Sequence, residues 1–270
     1  MTAAILGALV GAVMGLTGAG GGILAVPALV FGLGWSLAQA APVALLAAAI
    51  AGLVGALEGL KRGVLRYRAA ILMASVGVSV APLGVLAAQA LPQAVLLYTF
   101  AAVLAWVAAR TLREARTPQG SHDNPRAFVP CRLDPRTGRL AWTPASALAL
   151  GAIGAVSGFL AGLLGVGGGF VIVPALRRVS DLSFQSIVTT SLGVVALVAS
   201  GAVAVSLAHG AKLPGEVAGP FVVGAVAGMF AGRILIRRLP TRKVQQMFAA
   251  AACVAAAALA ARAVGIIPGA

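Results

Sequence analysis

Gly15-Leu16-Thr17-Gly18-Ala19-Gly20-Gly21-Gly22 returns 147 residues later as Gly162-Leu163-Leu164-Gly165-Val166-Gly167-Gly168-Gly169. Val26-Pro27-Ala28-Leu29 follows the first copy, and Val173-Pro174-Ala175-Leu176 follows the second at the same offset. Upstream, Gly7 and Gly11 match Gly154 and Gly158. Downstream, Leu91-Pro92 and Leu239-Pro240 correspond at an offset of 148. Gene duplication accounts for a register held over most of both halves. Consecutive glycines break a helix and permit φ > 0, so each cluster predicts a reversal of the chain.

The reversals lie inside apolar runs. Of 270 residues, 60% are hydrophobic and 10% charged, against roughly 45–50% and about 25% in soluble domains. So much apolar side chain with so little polar cover needs a lipid surround, which predicts an all-α polytopic membrane protein. A soluble enzyme, a disordered chain and a disulfide-stapled secreted domain are excluded. Eight apolar runs follow one another: 3–31, 38–58, 69–90, 93–110, 145–176, 184–207, 216–236 and 244–264. Six have 18–24 residues, enough to cross a hydrocarbon core of about 30 Å as one helix. The first and fifth are longer and hold the glycine clusters. Cys131 and Cys253 occupy a polar linker and an apolar helix, so they are not expected to pair. The N-terminus lacks the basic start of a cleaved signal peptide, so the first run is expected to stay in the mature protein.

The net charge of +14 is not a nucleic-acid footprint, because the Lys and Arg residues sit in short breaks between apolar runs. If every run crossed once, the Lys and Arg residues would split 13 to 7 between the faces. If runs one and five enter and return on one face, the breaks at 61–68, 110–139, 177–178 and 233–243 share a side and the split is 18 to 2. The positive-inside rule selects the second arrangement. It makes the two repeats inverted, each a glycine-broken re-entrant or short helical hairpin plus three transmembrane helices, as in many secondary transporters. The organisation predicted is a first repeat 1–110, a cytoplasmic linker 111–144 and a second repeat 145–270, with the N-terminus outside. Within the linker, Asp134-Pro135-Arg136-Thr137-Gly138 is a turn signature, so 128–142 reads as a small β-hairpin or an inert connector.

Glycine rows spaced by four, Gly7/Gly11/Gly15, Gly154/Gly158/Gly162 and Gly224/Gly228/Gly232, predict close helix packing in lipid. The dense clusters predict more. Their freed backbone groups cannot face lipid, and N–H groups at a helix start form an anion cradle. Gly18, Gly20, Gly21 and Gly22 with Gly165, Gly167, Gly168 and Gly169 are therefore candidate substrate-binding positions. A purely structural turn is the competing reading. A dinucleotide-binding motif fails for want of a βαβ unit and a later acidic residue.

Neutral hydroxyls beside the clusters can donate to oxyanions. Thr17, Ser157, Thr189, Thr190 and Ser191 qualify, with Thr190 and Ser191 favoured. Each could instead bond its own helix. Gln39 and Gln185 begin equivalent runs and read as helix-end groups. Glu58 reads as an ion pair with Lys61 and Arg62. Arg233 either snorkels or lines an inner vestibule. His209 reads as a loop residue.

The paired Gly-x-Gly-Gly-Gly-x4-Val-Pro-Ala-Leu elements, Thr190-Ser191 and the seventh run ending in Arg237-Arg238-Leu239-Pro240 resemble the TauE/SafE (TSUP) family of sulfite and sulfonate exporters. The resemblance implies transport of small sulfur-containing or carboxylic anions across the bacterial inner membrane. Where the second repeat has Thr190-Ser191, the first has Ala44-Leu45 or nearby Pro42-Val43, which implies an asymmetric site. The expected function is an inner-membrane permease for a small anion such as sulfite, thiosulfate or an organosulfonate, working by alternating access. A passive anion channel or a small-carboxylate transporter shares the same features. No cofactor is expected. Coupling to protons or sodium, and a homodimer, are both compatible with the reading. An intramembrane enzyme would need a nucleophile with a base, or paired aspartates; no His lies in the core and no Asp inside an apolar run.

Overall fold

The computed structural model describes residues 1–116, 131, 142–235 and 241–264. The chain forms α1 (Thr2–Thr17), a 3-10 stretch (Gly18–Leu24), α2 (Ala25–Gly32), α3 (Leu37–Lys61), α4 (Tyr67–Ala90) and α5 (Gln93–Arg116). It resumes with α6 (Pro144–Leu164), α7 (Gly169–Val179), α8 (Phe184–Ala208), α9 (Gly215–Leu235) and α10 (Thr241–Ala263). Seven of these, α3 to α6 and α8 to α10, are long and apolar enough to cross a membrane.

Local sequence sets the boundaries. Ser36 and Gln39 exchange side chain-to-backbone bonds in a capping box that starts α3, which gives Gln39 its place. Thr143 and Ser146 do the same for α6, with Pro144 pre-set at the first helical position. Ser183 caps α8.

Both glycine-broken runs are hairpins. A Cβ on Gly32, at the end of α2, would collide with Leu6 in the second turn of α1. In the second half, Cys131 joins the two ends: its N–H donates to Val179 O at 3.0 Å, and its Sγ lies 4.0 Å from Ser146 O. The end of α7 thus returns to the start of α6. The arms are unequal. At 21 residues α6 is long enough to cross by itself, whereas α1 has 16.

Glycine contacts give the direction of each helix. Gly7, Gly11 and Gly15 of α1 meet Phe221, Ala225 and Met229 of α9, in ascending order. Gly154, Gly158 and Gly162 of α6 meet Met73, Gly77 and Ala81 of α4, also ascending. These are parallel pairs, each uniting helices of opposite halves through the same packing. Gly52 of α3 faces Leu192 and Ala196 of α8, while Gly59 faces Thr189. The corresponding helices α3 and α8 therefore run antiparallel, which is the relation that inverted repeats demand. The ends of α3, α5, α7 and α9, with the starts of α4, α6, α8 and α10, share one face. The described basic residues lie there, apart from Lys212 and Arg262.

The halves have no separate interiors. One buried cluster combines Leu29, Phe100, Leu104, Leu164, Phe221 and Met229; a second combines Leu45, Met73, Ile172, Leu176 and Leu192. Residues 128–142, read as a hairpin or connector, lie outside the described residues except for Cys131 and Trp142. Cys131 forms a parallel bridge with Ser180.

Candidate functional site

The two glycine clusters meet. A Cβ on Gly22 would stand 3.8 Å from Val166 O and 3.7 Å from the end of the Met14 side chain. Gly21 lies so close to the last turns of α1 that a Cβ would sit 2.6 Å from Met14 Cα, so only glycine lets the 3-10 stretch fold back. Gly21 and Gly22 are buried.

The second cluster turns differently. Gly165, Gly167 and Gly168 have φ of 72°, 68° and 70°, a left-handed conformation that favours glycine. Gly165 closes α6, donating its N–H to Ala161 O at 2.9 Å. Gly167 fits between Ala48 of α3 and Val195 and Ala199 of α8. Gly168 is the N-cap of α7 and offers no side-chain acceptor. It packs on Ser157, whose carbonyl oxygen would lie 2.5 Å from an added Cβ. Val171 N–H bonds Gly168 O at 3.1 Å. The N–H groups of Gly169 and Phe170, at the helix start, have no acceptor within their own helix. All residues from Gly165 to Phe170 are buried.

Most nearby hydroxyls are engaged. Thr17 donates to Val13 O at 2.8 Å. Ser191 donates to Val188 O at 3.0 Å. Thr190 Oγ1 accepts the Arg66 N–H at 3.1 Å, fastening the α3–α4 connection to α8. Thr190 lies five residues before Val195, about 7.5 Å along the axis of α8, whereas Val195 touches Gly167. The structure thus unites the two glycine clusters and places Thr190 and Ser191 toward the face that carries the basic residues. Ser157 differs: it is fully buried and its Oγ has no hydrogen-bond partner.

The charged groups pair with one another. Glu58 on α3 pairs with Arg62 and with Arg233 of α9. This keeps the expected local pair and gives Arg233 a partner that its position in the sequence did not reveal. His209 is exposed and bonds Val205 O in its own turn.

A model of the family described as sulfite exporter TauE/SafE matches residues 3–259. A probable membrane transporter protein of Xylella fastidiosa strain Temecula1 is 29% identical over 240 residues, covering 88% of this chain and 85% of that one. A second, from Xylella fastidiosa strain 9a5c, is 28% identical over 241 residues, with the same coverage. No solved structure matches the chain.

Proposed function

Since the chain belongs to the sulfite exporter TauE/SafE family, we propose that this membrane transporter is an inner-membrane permease for a small anion, a sulfur oxyanion or an organosulfonate. The observation that carries the reading is the meeting of Gly22 with the Val166 carbonyl: two helix-breaking tips, one from each inverted half, face each other in the interior. Such tips present backbone N–H groups where lipid cannot compensate them, and N–H groups at a helix start favour negative charge. Neutral donors hold an anion without a fixed buried cation, so it can leave again. Access alternates by rocking of packed bodies: the close packing of α1 on α9 and of α4 on α6, each pair drawn from both halves, supplies two units that can move whole against each other. The basic face is cytoplasmic by the positive-inside rule, and Met1 is outside.

The test is flux of labelled sulfite, thiosulfate and acetate into proteoliposomes. An added Cβ on Gly22 makes only ordinary contacts, so Gly22→Ala should fold and add bulk where the tips meet; Gly22→Val adds two more methyl groups there. We expect saturable flux of a sulfur anion in the wild type and reduced flux in both variants. Unchanged flux in the variants removes the tips from the mechanism. Flux that never saturates indicates a passive channel, and preference for acetate indicates a carboxylate carrier. Imposed proton and sodium gradients identify the coupling ion.

A further inference from the structure

We propose that Ser157 is the side-chain donor of the anion site, acting with the N–H groups that open α7, so that the second hairpin alone holds an oxyanion oxygen. The inference rests on the permease reading and adds the residue and the chemistry.

A serine inside a helix normally returns its hydroxyl to a carbonyl of the preceding turn. Ser79 does so to Ser75 O and Ser200 to Ala196 O. Ser191 bonds Val188 O, and Thr190 serves Arg66. Ser157 makes no such bond although it is 0% exposed. A buried hydroxyl without a partner carries its full desolvation cost and calls for an explanation.

Its surroundings supply one. Ser157 Oγ lies against Gly168, the residue that caps α7, where an added Cβ would collide with it. No side chain of that cap accepts a bond from the helix start. The hydroxyl and the donors of the helix start thus lie in one buried turn around Gly168, and Ser157 Oγ bonds none of the carbonyls there. Donors of this kind suit a ligand with negatively charged oxygens, a sulfur oxyanion or a carboxylate. The left-handed glycines bring the backbone this close; a Cβ at Gly168 would displace the hydroxyl.

The equivalent position in the first half, 147 residues earlier, is Val10. It is buried and apolar, and the chain there continues into a 3-10 stretch. The duplicated tips are thus unequal, and the anion takes its side-chain bond from the second half only.

The test compares wild type with Ser157→Ala in detergent, measuring thermal unfolding without ligand and binding of sulfite, thiosulfate and acetate by titration. Ser200→Ala is the control for loss of a hydroxyl elsewhere. We expect Ser157→Ala to keep or raise the unfolding temperature without ligand, because an unpartnered polar group is removed. It should bind whichever anion the wild type binds about tenfold more weakly or worse. Affinity within twofold of wild type overturns the inference and leaves the permease reading standing. A lower ligand-free unfolding temperature with unchanged affinity also overturns it, making Ser157 structural. A wild type that binds none of the three anions overturns both. If Ser157→Ala does not fold, Ser157→Cys, similar in shape and a weaker donor, is read in the same way.

Discussion

Arg233 of α9 donates to Glu58 in the C-terminal part of α3, joining the two halves at the basic face. Gly55, one turn before Glu58, leaves room for the guanidinium: an added Cβ would lie 2.6 Å from Arg233 Nη2. The charge belongs to one half only. Gly15 packs on Arg233 N as Gly162 packs on Val85 N, so the first half has valine at the matching position. Both side chains are partly exposed, which limits the pair to about 1 kcal/mol. In a double-mutant cycle with Glu58→Gln and Arg233→Gln, the combined loss of stability should be smaller than the sum of the single losses by about that amount. Thermal unfolding in detergent measures it. Strict additivity would mean that the pair does not hold the halves together.

Glycines on a single helix should divide sharply. A Cβ on Gly154 or Gly158 would run into the Met73 or Gly77 backbone, whereas one on Gly151 would find only Val76 Cγ2 at 4.0 Å. Alanine at Gly154 or Gly158 must push α6 off α4, at a cost of about 1–3 kcal/mol. Alanine at Gly151 should stabilise by about 0.5–1 kcal/mol through helix propensity. Unfolding temperatures of the three variants, side by side, decide it. A uniform response would remove the close-packing account of these rows.

The parts of this architecture that could be read in advance are those written in local pattern. The repeat, both hairpins, the packing rows and the clustering of charge all follow from spacing and composition. What escaped depends on residues brought together from far apart. Arg233 and Glu58 are 175 positions apart, and no periodicity links them. Ser157 was visible as a hydroxyl near a glycine cluster, but its lack of a partner appears only when α7 folds back on α6. The left-handed turn at Gly165–Gly168 and the 3-10 path at Gly18–Leu24 arise from nearly the same glycine string, because neighbouring contacts choose between conformations that glycine allows equally.

The linker should be anchored through Cys131. Its backbone pairs with Val179 and Asp181 and its thiol is buried. Burial pushes the Cys131 thiol pKa up, so the folded state favours the neutral form. That contribution is complete below the ordinary thiol range and fades as pH rises through the raised value. Cys253 lies within the apolar span of α10, where lipid or detergent covers it, so Cys131 is compared with itself. In detergent at pH 7.5 (a chosen assay condition, about one unit below the thiol's ordinary value), N-ethylmaleimide should modify Cys131 far more slowly in the folded protein than in denaturant. Mass spectrometry over a time course gives the rates. Rapid modification of Cys131 in the folded protein would show that the linker is not held against α7.

Opposite placement of the two hairpins follows from the antiparallel run of α3 and α8. Each hairpin must open toward a different side of the membrane, because α3 begins just after the first and α8 just after the second. Ala38 in the first turn of α3 and Asp181 before α8 are both exposed, so each can be replaced by cysteine and reached by a reagent. With Cys131 and Cys253 changed to serine, a membrane-impermeant maleimide should label Ala38→Cys from outside intact cells. Asp181→Cys should react only in inverted vesicles. Two opposed tips exist only if these positions differ in side. Labelling of both from one side would make the repeats parallel, leave the two clusters at the same depth from one face, and remove the basis for a pocket shared between them.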